Sequence, residues 1–167
     1  MRFLCDSMLG GLSRWLRASG YDADFAGPIE DGALVARAES SGRVLLTSDG
    51  PLMRRRPVAS GSVRALLVPR SAPLLEQTVF VLGSLGLAIR DPRCMSCGGE
   101  LEPVELVEIA ADVPAFSREL YDEFWRCGRC ARPFWKGSHW PGIEARRGAI
   151  ASRLDAPRQF APATITS

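Results

Sequence analysis

Residues Leu45–Arg56 read LLTSDGPLMRRR. With Arg43 and Val44 ahead of it, the run RVLLT is short, continuous and apolar, as strands buried on both faces of a parallel sheet are. It stops on Ser48 and Asp49, turns at Gly50-Pro51, and meets three arginines at Arg54–Arg56. An aspartate in a turn is ordinary. One at the carboxyl end of a buried strand gains meaning if other carboxylates reach the same place.

Working outward, the same grammar repeats. Phe3–Cys5 reads as a first strand. Met8–Ser19 follows with Leu9, Leu12 and Leu16 at helical spacing, Arg14 and Arg17 turned away, and Gly20 as a C-terminal cap. YDADFA (21–26) is a second strand, and a helix begins near Asp31, runs through Leu34, Val35 and Ala38, and closes at Gly42. After the arginines, VRALLV (63–68) is a fourth strand and Pro73–Leu85 a helix. Strand–helix alternation predicts an α/β domain with a parallel sheet over residues 1–90. The pattern breaks at RDPRCMSCGG (90–99); the LEPVELVEIA stretch (101–110) looks β-like, so 91–150 forms a second module. The end, 151–167, is rich in Pro, Ala and Thr without periodicity and is expected to be a disordered tail.

A chain of 167 residues, 46% hydrophobic, can bury one good core and a small satellite. No apolar run reaches the roughly 18 to 20 residues of a membrane span, and Asp6 falls where a signal peptide would need its apolar centre. The expectation is a soluble, cytoplasmic protein. The net charge of +2 hides segregation: five arginines and no acid between Pro51 and Leu75, eight acids against Arg118 between Gly98 and Glu123, and seven basic residues against Glu144 and Asp155 between Arg129 and Arg158. Two basic blocks around an acidic one suit a polyanion, although solvated faces would look the same.

Four of the five cysteines form two C-x-x-C pairs, Cys94/Cys97 and Cys127/Cys130, 29 residues apart. A two-residue gap lets both sulfurs bind one tetrahedral ion, and two such knuckles make a four-thiolate structural zinc site. Two pairs exceed what a redox dithiol needs, and a reducing compartment disfavours disulfides. So small a module needs the metal to fold. Cys5, inside the first strand, reads as a buried small hydrophobe.

Ligands of an open parallel sheet bind at the carboxyl ends of its strands. Asp6 follows the first strand, Asp49 the third, and Asp31 starts the helix leading into the third, with Glu30 beside it as a substitute. Three carboxylates converging there would call for a hard cation, magnesium or manganese, suited to phosphodiester hydrolysis. Helix capping is the competing role for each aspartate.

The segments DSMLGGLSRWLRASGYD (6–22), EDGALVARAESSGRVLLTSDGPL (30–52), RCMSCGGEL (93–101) and WRCGRCARPFWKGSHW (125–140) together resemble the Mut-seven C-terminal RNase domain family, over about residues 1–150. The resemblance implies a PIN-like three-layer α/β/α sandwich with an appended C-terminal zinc ribbon and metal-dependent RNA cleavage. It also implies acidic ligands at positions matching Asp6, Asp31 and Asp49. Ser48 stands where relatives commonly carry arginine, and for the fourth acid of many such nucleases only Asp22, Asp24 and Glu30 are available.

His139, the single histidine, lies between Ser138 and Trp140. It is redundant as a zinc ligand; a general acid, a structural histidine packed among tryptophans, and an RNA contact are its open roles. Phe134, Trp135 and Trp140 interleaved with Arg132 and Lys136 offer stacking and phosphate binding, or a ribbon-to-domain interface. The candidate RNA contacts are Arg14, Arg17, Arg54, Arg55, Arg56, Arg132, Lys136, His139 and Trp140. The expected function is a Mg/Mn-dependent endoribonuclease with transfer or ribosomal RNA as candidate targets. The alternative is a non-catalytic RNA- or ribosome-binding module. A phosphatase fits less well, because Met8 rather than an acid stands two residues after Asp6.

Overall fold

The computed structural model describes residues 1–156. Four parallel strands form the central sheet: β1 (Arg2–Cys5), β2 (Asp22–Phe25), β3 (Val44–Thr47) and β4 (Ala65–Leu67), in the order β2-β1-β3-β4. Successive side chains of a strand point to opposite faces, and the two cores divide on that rule. Phe3, Cys5, Val44 and Leu46 face one layer, where they meet Leu12 and Leu16 of α1 (Gly10–Ala18) and Val79 and Leu82 of α5 (Leu74–Ser84). Leu4, Leu45 and Ala65 face the other, against Leu34, Val35 and Ala38 of α2 (Asp31–Ser41), Leu52 of α3 (Gly50–Met53) and Val58 of α4 (Arg56–Ala59). The result is the expected parallel sheet flanked by helices. Gly42 ends α2 at φ +60°, a left-handed turn that admits glycine without strain.

The second module is a three-stranded antiparallel sheet, β5 (Leu101–Pro103), β6 (Phe124–Cys127) and β7 (Pro133–Trp135). The β-like reading of residues 101–110 holds only for its first three. A reciprocal capping box between Glu105 and Glu108 starts a helical turn, α6 (Leu106–Ile109), which passes through a 3₁₀ turn to α7 (Ala115–Leu120). Ile109, Val113 and Phe124 give this module its own small core.

The last helix, α8 (Trp140–Asp155), extends beyond residue 150, into the segment expected to be a tail. It packs on α5: Ile150 is fully buried in the first core, Leu154 lies against Gly83, and Arg153 pairs with Glu76 at 3.2 Å. Only one of its residues is deeply buried, so its sequence carries little amphipathic signal. The rest of the expected tail, 157–167, lies outside the described residues. Among those described, no helix is long and apolar enough to cross a membrane.

Candidate functional site

Asp6 and Asp49 meet through one hydroxyl. The Asp6 N–H donates to the Leu46 carbonyl at 3.0 Å, which keeps the chain registered on β3 just past the end of β1. Its carboxylate Oδ1 accepts the Met8 N–H at 2.7 Å, and Oδ2 accepts the hydroxyl of Thr47, the fully buried last residue of β3. That hydroxyl, its proton committed to Asp6, accepts the Asp49 N–H at 3.0 Å. Asp49 occupies the N-cap position of α3, yet its side chain makes no cap hydrogen bond, so capping does not explain it. Asp6, by contrast, does hold the turn that leads into α1.

Asp31 opens α2 and pairs with Arg55 at 2.9 Å, both side chains being well exposed. Among the described residues, the cysteine quartet is the one group of three or more metal-ligating side chains with ligand atoms within 4.8 Å of one another. Asp6, Asp31 and Asp49 share the carboxyl end of the sheet without closing to that spacing. Thr47 thus links the Asp6 carboxylate to the Asp49 backbone, and the Asp49 carboxylate itself makes no hydrogen bond or ion pair among the described residues.

The arginines separate into different jobs. Arg54 and Arg56 are exposed at the ends of α3 and α4, without ion-pair partners among the described residues, and Arg14 is exposed on α1. Arg17 corrects the sequence reading: it is buried rather than turned away, with Nε on the Ala23 carbonyl at 2.6 Å and Nη1 on the Met95 and Ser96 carbonyls at 3.0 and 2.9 Å. Its guanidinium holds the first cysteine knuckle against β2. Arg132 reaches Ser96 Oγ at 3.1 Å, and Lys136 pairs with Glu123 at 3.1 Å over the Trp125 ring.

The four cysteines converge. Sγ–Sγ distances are 3.7 Å for Cys94–Cys130 and 3.5 Å for Cys97–Cys127. Tetrahedral zinc with bonds of about 2.3 Å sets its sulfurs roughly 3.8 Å apart, so the cluster fits the ion. The Gly99 and Arg129 N–H groups point at Cys97 and Cys127 sulfurs, both at 3.4 Å, as donors that stabilise thiolates. Burial alone would raise the Cys127 thiol, but the Cys130 and Arg129 N–H groups outweigh it and bring it down to about 7. Burial and sulfur neighbours push Cys97 up to about 12. Cys5, raised to about 12 chiefly by burial, is the inert hydrophobe its sequence position suggested.

Sequence reasoning missed the residues that join the modules. Asp22, at the start of β2, receives Arg43 at 2.9 Å and Arg129 at 3.1 Å on the same oxygen. Although burial opposes ionisation, these two guanidinium groups hold its carboxyl below the usual range. Asp24 takes Arg43 and Arg37 at 3.4 and 3.6 Å. Both acids are thus consumed by structural pairs, and Asp22 sits at the amino end of the sheet, opposite Asp6 and Asp49.

His139 also lies at that far end. Together with Trp125, Trp135, Trp140 and Lys136 it lines a cleft of about 930 Å³ that reaches Ala18. Helix α1 starts next to Asp6 and ends at Ala18, nine residues or roughly 13 Å of helix away. The histidine is neither in the cysteine cluster nor beside the carboxylates.

Against known proteins, a stretch of 103 residues, 58% of this chain, is 38% identical to the exonuclease mut-7 homolog of Homo sapiens. The matched stretch spans 11% of that relative's length. No solved structure matches. The Mut7-C RNAse domain family matches residues 1–146, which takes in the sheet, both knuckles and the start of α8, and the chain belongs to that family.

Proposed function

We propose that this chain is a divalent-metal-dependent ribonuclease cutting single-stranded RNA internally, with Asp6 and Asp49 as the principal ligands of magnesium or manganese. The observation that carries the reading is the Asp6–Thr47–Asp49 bridge at the carboxyl end of a parallel sheet, in a member of a family described by RNAse activity. A bound ion there supplies Lewis-acid polarisation of the phosphate and a more acidic water. The chain's own groups supply the rest. Thr47 fixes the Asp6 carboxylate and the Asp49 backbone, and Arg54 and Arg56 neutralise neighbouring phosphates. Arg55 holds Asp31 at the rim, where it becomes a further ligand if a phosphate draws Arg55 away. Zinc on Cys94, Cys97, Cys127 and Cys130 holds the second module together.

The second reading, an RNA-binding module without catalysis, is favoured by one observation: Asp31 is engaged by Arg55 and the three carboxylates do not close on a common point. Incubating single-stranded RNA with the protein and manganese separates the two. Internal cuts that Asp49→Asn abolishes establish the nuclease; binding without any cleavage establishes the module.

A further inference from the structure

The cleft at the amino end of the sheet has a chemistry of its own. Its floor and walls include the indoles of Trp125, Trp135 and Trp140. None of these three indole N–H groups, nor the His139 ring, has a hydrogen-bond partner among the described residues. Arg147, which also lines the cleft, donates from its two terminal nitrogens to Glu144 and the Arg90 carbonyl, and its Nε is buried without any acceptor. Unmatched buried donors carry a real cost. The cleft therefore offers flat apolar faces, indole N–H groups open to solvent and one buried donor without an acceptor. Of its two acids, Asp91 and Glu144, the second is neutralised by Arg147.

We infer that this cleft captures an unpaired base of single-stranded RNA, as a subsite separate from the carboxylates. A nucleobase presents what suits the lining: a planar π-face for the indoles and edge acceptors for their N–H groups. Lys136 and Arg93, also in the lining, pair with Glu123 and Glu100 at 3.1 Å each, and flanking phosphates would exchange with those acids. An aromatic protein side chain would supply the face but not the acceptors. The inference builds on the proposed RNA substrate and adds a requirement. The strand must run from the carboxylate end along the roughly 13 Å of α1 to the cleft, so short fragments would lose the second grip.

The test is fluorescence anisotropy with a labelled oligouridylate of about twelve nucleotides and an abasic oligomer of the same length, with no magnesium or manganese added. Wild type should bind the normal strand about tenfold more tightly than the abasic one, the range of one stacked base. Trp140→Leu, at the half-exposed start of α8, should erase that difference and leave the salt dependence unchanged; His139→Ala, on an exposed side chain, is the second variant should the first not fold. Equal affinity of wild type for both oligomers, or variants that keep the preference, overturns the inference. Manganese-dependent cleavage measured in parallel keeps the two readings apart. Cleavage with no base preference sinks the cleft alone, whereas base preference with no cleavage sinks the nuclease alone.

Discussion

Arg129, on the second cysteine knuckle, donates to Asp22 at 3.1 Å across 107 residues of chain. The knuckle is thereby fastened to the first residue of β2, with Arg17 reaching the other knuckle from α1. These contacts join the two modules, with the cysteine centre at the amino end of the sheet and the candidate active site at the carboxyl end.

Removing the acid from this junction deprives the buried Arg43 of its shorter charge partner and leaves it Asp24 at 3.4 Å. Asp22→Asn should cost about 3 kcal/mol in chemical denaturation, whereas Arg129→Met, losing a partly exposed partner, should cost about 1 kcal/mol. The Asp22 carboxyl is held below its usual range in the folded state. Its stabilisation is therefore complete above the unfolded value of about 4 and is lost as pH falls through the lower folded value. Acid denaturation of wild type should steepen below about pH 4, and Asp22→Asn should flatten that limb.

Elemental analysis of protein purified without chelator should give one zinc per chain. Cys127→Ser should abolish it and release amide protection in β5, β6 and β7 while β1–β4 stay protected, since the parallel sheet has its own two cores. Full protection in a zinc-free ribbon would contradict the assignment.

Thr47 is a sharper probe of the candidate site than either aspartate. Thr47→Val keeps the shape but removes both hydrogen bonds, so it should cost about 1–2 kcal/mol and lower kcat about tenfold or more through a looser Asp6 carboxylate and a less firmly placed Asp49 backbone. Thr47→Ser should restore most of the rate. A valine variant with full activity would show that the bridge is only structural.

The exposed Arg54 and Arg56 should act through charge. Replacing both with alanine should reduce the slope of log affinity against log salt by about two phosphate contacts, with kcat at saturating RNA little changed. An unaltered slope would assign them to solubility.

The sequence made the alternating elements legible because each strand and helix carries its own period, and the cysteine spacing needed no tertiary information. Long-range partners left no local mark. Arg17 sits at a helix position that reads as solvent-facing, and only the returning knuckle makes it buried. Asp22 and Asp24 looked like spare catalytic acids because their partners, Arg43 and Arg129, are distant in sequence. In sequence Thr47 is simply the end of a strand, and its place two residues before Asp49 is the one local signal of its link to that residue. The end of helix α8 resembles a tail in sequence because most of the helix's residues face solvent. His139 and Trp140 are legible as neighbours in sequence, but which end of the sheet they occupy depends on how the ribbon docks.

The most direct measurement is manganese-dependent cleavage of single-stranded RNA by wild type and Asp49→Asn, with thermal stability recorded without added manganese. Asn preserves the shape and removes the charge that holds the cation. The expected result is cleavage by wild type and none by a folded variant whose stability is unchanged or higher, because a carboxylate near Asp6 has been neutralised. Cleavage by Asp49→Asn at the wild-type rate, or a wild type inert on RNA that it binds, would contradict the nuclease assignment.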